Sequence, residues 1–450
     1  MKQVQRWLPA AVLLTLWGWS VVRAEDPALT RPEMKVRLEA LKERTSRIPL
    51  PPPTAEELAS GTSLVNNGRL RSLYLPPSWN SWLISGWGGA RNARGGTAAT
   101  LSVLQQQPDY AFKTRVFWVV SRTNDCQYCL GHQELKLKKA GMTDNEIAAL
   151  DVQWDLFPAA EQAAMRAARK LTIAPHRFGS SDLQDLRSRF DDARTIDLLY
   201  TIARYNAVNR WTSATGIPQD AAFGGEAKTE LNSPTAEEWS NRQSSVAPVD
   251  VEDRPEWEAW EVVQERLQAA RQRQSPVALP SVETAAVVLA KDTPGVIPPQ
   301  WFRAISGMPL AVEAWAQRQA LLREGRSPQQ LRLMIAWITA RENRAWYAAG
   351  HARARLLASG CPEESLHSFA AFLEAAPADT RSALQFARLL TSHPQQVGDA
   401  DVAALREHFN DHEVAEIIHV TADSNAFDRM SESLQVVLVF CLSYIYEGSV

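Results

Sequence analysis

The chain repeats itself, and that constrains its fold more than any other feature. Trp337, Arg341, Asn343, Tyr347, Gly350, His351, Leu356 and Gly360 stand 219 residues after Trp118, Arg122, Asn124, Tyr128, Gly131, His132, Leu137 and Gly141. Eight identities in 24 ungapped positions, tryptophan and histidine among them, are far beyond what composition produces. The offset persists to Arg210 and Arg429, pairing Leu171-Thr172 with Leu390-Thr391, Pro175 with Pro394 and Asn206 with Asn425. An earlier echo, Leu75-Pro76-Pro77-Ser78-Trp79 against Ile297-Pro298-Pro299-Gln300-Trp301, lies at 222. The first copy therefore carries three more residues before Trp118, and the Gly-rich stretch Gly86 to Gly96 is a natural place for them. A sequence duplicated this way folds as two like units.

Length agrees with that division. The 450 residues, 45% of them hydrophobic, suffice for two cores of about 200 residues each. Apolar positions recur at three- and four-residue spacing, as in Ile196 to Ile202 and Val414 to Ile418, with no convincing two-residue alternation. Each copy is therefore expected to be a helical bundle. Gly141 followed by Thr143 and Glu146 reads as a helix stop and a capping box. The sixteen tryptophans are expected to fill helix interfaces. A net charge of −3 and a pI near 6.3 leave no electrostatic footprint for nucleic acid.

The first residues carry Lys2 and Arg6, an apolar run from Leu8 to Val22, and Val22-Arg23-Ala24 ahead of Glu25-Asp26. This pattern is that of an export signal over residues 1–24, with an uncleaved anchor as the alternative. Residues 25–218 are then expected to form the first domain, 219–254 a polar linker, and 255–450 the second domain. Val436 to Ile445 is too short to span a membrane and reads as a buried terminal element.

The copies differ where chemistry is concentrated. Cys126 and Cys129 are answered by Ala345 and Ala348, so thiol chemistry is confined to the first half. In an oxidising compartment a Cys-x-x-Cys pair is a redox disulfide or an inert one. His132 follows three residues after Cys129, and Arg122, four before Cys126, is a cation able to lower a thiol pKa. A metal site is disfavoured because Cys126, Cys129 and His132 have no obvious fourth ligand nearby, and haem attachment because Leu130 follows Cys129. No cofactor is called for. His351 survives in the copy without sulfur, so the histidine has a structural use beside any catalytic one. Asn206, Asn209 and Arg210, with Asn425, Asp428 and Arg429, read as a buried packing network. Cys361 and Cys441 are expected to be buried thiols.

The run Asn124-Asp125-Cys126-Gln127-Tyr128-Cys129-Leu130-Gly131-His132, followed by Lys139-Ala140-Gly141-Met142-Thr143, resembles the carboxymuconolactone decarboxylase and alkylhydroperoxidase D-like family. Tyr205-Asn206-Ala207-Val208-Asn209-Arg210-Trp211 is similar to the continuation in its longer members. The resemblance implies an all-α fold, here two tandem alkylhydroperoxidase D-like domains packed as an intrachain pseudo-dimer, with homo-oligomers as a further expectation. It also implies a thiol peroxidase in which Cys129 attacks a hydroperoxide, Cys126 resolves the sulfenic acid, and an extracytoplasmic thiol reductant reopens the disulfide. Peroxidase members place a histidine where this chain has Gln133 and a glutamate where it has Thr114, so the proton relay is altered. A non-catalytic scaffold and lactone chemistry like that of the family's namesake are the alternatives.

Overall fold

The computed structural model describes residues 31–59, 65–79, 109–220, 256–290, 293–309 and 311–439. Every regular element among the described residues is helical. Helices Tyr110–Thr123, Gln127–Lys139, Ala159–Ile173, Ser180–Arg187 and Asp192–Thr215 are matched by Gln329–Glu342, Trp346–Ala358, Ala378–Ser392, Asp399–Arg406 and Asp411–Ser433. Each of these pairs starts 219 residues apart, the offset of the sequence repeat. The halves part company at Asp144–Val152, which the Thr143/Glu146 capping box opens as expected. The second half has a short 3-10 turn, Glu363–Leu366, and then helix Phe369–Glu374.

Local chemistry explains the shared boundaries. The first two repeated helices of each half are joined by a residue in the left-handed region, Asp125 and Arg344, both at φ 50°. Such a conformation ends one helix and turns the chain before the next begins. Gly141 at φ 90° and Gly360 at φ 85° stop the second helix in the same way, where a Cβ would be strained. Asp191 and Asn410 then cap the long helices, their side chains accepting from the backbone N–H groups of Arg194 and of His412 and Glu413.

The long helices Asp192–Thr215 and Asp411–Ser433 lie against one another at the centre, and the network read from the sequence joins them. Asn124 Nδ2 donates to Asn206 Oδ1 and Asn209 Oδ1, both at 3.1 Å, and Asn206 Nδ2 donates to Thr172 Oγ1 at 3.0 Å. Arg210 Nη1 reaches Asn206 Oδ1 at 3.0 Å, while its Nη2 crosses to the Thr391 carbonyl of the other half at 3.0 Å. Arg429 returns the contact to the Thr172 carbonyl at 3.0 Å. Each carbonyl lies in the last turn of a helix, where the partial negative charge of the helix dipole meets a cation. Burial lowers the pKa of both arginines, that of Arg429 to about 10.

The halves also exchange aromatic arms. Trp79 of the first half is fully buried and stacks on His419 of the second, with ring centres 5.8 Å apart. Trp301, its echo, shares the wall of a small cavity with Tyr200 of the first half, the position matching His419. The two repeats thus form an intrachain pseudo-dimer.

Two expectations change. Gln219 and Asp220, assigned to the start of the linker, are 3% and 7% exposed, and the backbone N–H of Gln219 donates to the Leu41 carbonyl. They belong to the first half, because the chain folds back over the cysteine helix Gln127–Lys139 instead of leaving it. A Cβ on Gly131 would collide with the Gln219 side chain, and one on Gly350 with Leu438, the residue 219 positions after Gln219. That packing is the reason both copies keep glycine there. Cys361 is a buried free thiol 3.4 Å from Ser365 Oγ. The leader, the stretch Gly86 to Gly96, the linker from residue 221 and Cys441 lie outside the described residues. Of the terminal element, Val436 and Leu438 are buried.

Candidate functional site

The cysteine pair sits where a helix begins. Cys126 is the N-cap of Gln127–Lys139, placed there by the Asp125 turn, and Cys129 lies in the first turn. Both are free thiols, exposed by 1% and 2%. The Thr212 hydroxyl, on the long helix, stands between them, 3.1 Å from Cys126 Sγ and 3.2 Å from Cys129 Sγ.

Surroundings divide the two sulfurs. Burial opposes ionisation of Cys126. It is outweighed by hydrogen bonds from the Cys129 thiol, the Thr212 and Ser213 hydroxyls and the Cys129 backbone N–H, which bring the pKa down to about 7. Burial also opposes ionisation of Cys129, and there the neighbouring Cys126 adds to it, so its pKa is raised well above the ordinary thiol value. A thiolate at a helix N-terminus further faces the positive end of the helix dipole. The geometry therefore collects negative charge on Cys126 and leaves the proton on Cys129.

The cation acting on Cys126 is Arg44, not Arg122. Arg44, on the arm preceding Arg47, has its own pKa raised by the Cys126 charge, although burial and then Arg47 lower it overall. Arg47 fixes that arm: it donates to the carbonyls of Ser213 and Ala214 at 2.7 and 3.1 Å and to Asp399 of the second half at 2.6 Å. Arg122 instead pairs with Asp151 at 2.9 Å, which also accepts from Trp118 Nε1 at 2.8 Å. Spacing misled here because Arg122 and Cys126 lie on opposite sides of the Asp125 turn, where helical periodicity no longer relates them.

His132 lies on the cysteine helix with its ring fixed at both nitrogens. Nδ1 is 3.0 Å from the Tyr128 carbonyl and Nε2 is 3.1 Å from Asp220 Oδ2. The Tyr128 hydroxyl donates to the same carboxylate oxygen at 2.9 Å, and the Asn66 backbone N–H to its Oδ1 at 2.7 Å. Tyr128 has its pKa pushed up by burial first, then by the Asp220 charge, with Cys129 contributing. The hydroxyl thus stays protonated and lies within electrostatic reach of the second sulfur. Lys136, seven residues after Cys129 and so on the same face, has a pKa lowered by burial to about 8.

Neither Thr114 nor Gln133 joins this group. Thr114 Oγ1 donates to the carbonyl of Tyr110 in its own helix at 2.7 Å, and the amide oxygen of Gln133 is buried without a hydrogen bond. The sequence reading missed Asp220, Thr212, Arg44 and Lys136. Only Lys136 carried a sequence signal, its helical spacing from Cys129; the others arrive from distant parts of the chain.

In the second half the same positions hold Ala345, Ala348, Ser431 for Thr212 and Val439 for Asp220. His351 is retained, but burial and then the charges of Arg355 and Arg318 lower its pKa to about 3. No group of three or more His, Cys, Asp or Glu arranged to hold a metal occurs among the described residues.

No curated protein matches the chain at a significant level. Residues 115–170, which carry the cysteine helix and the helices flanking it, match the model of the carboxymuconolactone decarboxylase family.

Proposed function

We propose that the first half is a thiol-dependent oxidoreductase of the alkylhydroperoxidase type that reduces small hydroperoxides, and that the second half is a sulfur-free copy of the same unit. The observation that carries this reading is the split between two sulfurs sharing one hydroxyl: one is poised as thiolate near neutrality, the other held as thiol. A dithiol peroxidase needs that division of labour. The Cys126 thiolate attacks one peroxide oxygen, the O–O bond breaks, and the leaving alkoxide takes a proton to become the alcohol. Lys136 supports that step as a donor poised near neutral pH. Cys129, losing its proton, then attacks the Cys126 sulfenic acid, releasing water and closing the disulfide. An external dithiol restores both thiols at the cost of its own oxidation.

Burial favours a small oxidant over a protein disulfide, since almost none of either sulfur is exposed. The roles of the two sulfurs are thereby the reverse of those implied by the family resemblance. The leader supports placement of this chemistry outside the cytoplasm, and an extracytoplasmic thiol is the reductant it implies.

Stopped-flow peroxide consumption by the pre-reduced chain tests the reading. Cys126→Ser is expected to abolish consumption. Cys129→Ser is expected to consume one equivalent and stall as a sulfenic acid that a dimedone probe traps. Loss of the first equivalent in Cys129→Ser, with retention in Cys126→Ser, would reverse the assignment. No consumption by the parent would leave the scaffold reading in its place.

A further inference from the structure

The second half keeps the frame of the first and hollows out its centre. In the first half Phe117 and Tyr205 lie flat on each other, ring centres 3.8 Å apart and planes 1° from parallel. The positions 219 residues on are Ala336 and Ser424, and Cys129 has become Ala348. All three line a pocket of about 50 Å³, room for several waters or for part of one small planar molecule. Two aromatic rings have been removed from an otherwise conserved packing, so the space is shaped for an aromatic ring.

The rim carries charge of one sign. Arg318 and Arg355 both line the pocket, and both act on His351, whose imidazole is neutral at physiological pH. Arg318 lies over the Phe427 ring at 4.0 Å and donates Nη1 to Asp423 at 2.5 Å. Its other donors carry no hydrogen bond among the described residues. Arg355 stands where the first half has Lys136, replacing a cation with a pKa of about 8 by a permanent one that offers a planar fork of donors. The one acid of the lining, Asp428, replaces Asn209. Burial pushes its carboxyl up to about 7, and it accepts from Asn343 Nδ2 at 2.8 Å, as Asn209 accepts from Asn124. It therefore offsets only part of the arginine charge.

We propose that this pocket binds a small aromatic carboxylate, its ring in the space left by the missing aromatic pair and its carboxylate on Arg355 and Arg318. Ring-filling supplies apolar burial, and the guanidinium groups supply charge-assisted hydrogen bonds that read the anion. The site is separate from the sulfur chemistry and stands whether or not the first half reduces peroxides.

Titration calorimetry of the full chain with benzoate tests it, with benzamide as the neutral isostere at matched ionic strength. Benzoate is expected to bind saturably, with benzamide at least about tenfold weaker. Ala336→Phe together with Ser424→Tyr rebuilds the ring pair of the first half and is expected to abolish binding; Arg355→Gln is expected to weaken it about tenfold. Should the double variant fail to fold by circular dichroism, Arg355→Gln carries the test. The proposal is overturned if benzoate shows no saturable binding up to about 10 mM, where even a weak site would respond. It is equally overturned if benzamide binds as well as benzoate, or if the folded variants bind as the parent does.

Discussion

The two halves are a comparison built into one chain. Their helices start in register, their central asparagines and arginines make the same bonds, and each keeps the Trp, Tyr, Gly and His of the repeat. What they do not share is concentrated around the second repeated helix: Cys126, Cys129, Thr212 and Asp220 against Ala345, Ala348, Ser431 and Val439. The shared residues hold the frame, and the unshared ones carry the chemistry. His351 makes the point sharply, since it persists without sulfur and without an acid beside it. His132 differs only in what surrounds it.

The strongest way to break this comparison is to move the sulfurs. Ala345→Cys with Ala348→Cys, in a chain lacking Cys126 and Cys129, is expected to remain at least about a thousandfold below the parent in peroxide consumption. The grafted pair lacks Thr212, Asp220 and Arg44. Recovery to within tenfold would mean that the frame alone activates a thiol.

The aromatic exchange comes next. Trp79→Ala empties a fully buried site against His419 and is expected to lower stability by about 3–5 kcal/mol, measured by urea unfolding. Because Trp79 belongs to one half and His419 to the other, both halves are expected to unfold together. A separate transition for each half would refute the pseudo-dimer as one cooperative unit.

Asp220→Asn keeps the shape but removes the charge that Tyr128 and His132 share. Peroxide consumption is expected to fall about tenfold and stability by about 2 kcal/mol. An unchanged rate with reduced stability would make Asp220 a packing residue only.

The smallest effect is on acid stability. His419 is fully buried, neither nitrogen has a hydrogen-bond partner, and its pKa is lowered to about 3 by burial and then by Arg71. The unfolded chain, with an ordinary histidine pKa near 6.5, takes up the proton first. Stability is therefore whole above about pH 6.5 and declines as the pH falls toward 3, by at most about 1.4 kcal/mol per pH unit for this group. His351 contributes with the same sign. His419→Leu is expected to reduce the slope measurably; an unaltered slope would mean that His419 takes no part.

How much of this was legible in the sequence follows from the range of the interactions. The repeat revealed the helices and the central network because like residues recur at one offset, and the cysteine pair with His132 lies within a single helix and its cap. Asp220 was hidden because it follows Pro218 in a polar stretch that reads as linker, while its role depends on the chain doubling back over the cysteine helix. Arg44 acts from an arm more than 80 positions upstream. Arg122 was misread because four residues make one turn only where the helix is continuous, and Asp125 interrupts it.

The most direct test of the account is the pH dependence of thiolate absorbance in the parent, Cys126→Ser and Cys129→Ser chains. The account predicts an inflection near pH 7 in the parent, retained in Cys129→Ser, whose hydroxyl still donates to the first sulfur, and absent in Cys126→Ser. An inflection near pH 7 that survives in Cys126→Ser would place the reactive thiolate on Cys129 and contradict the assignment.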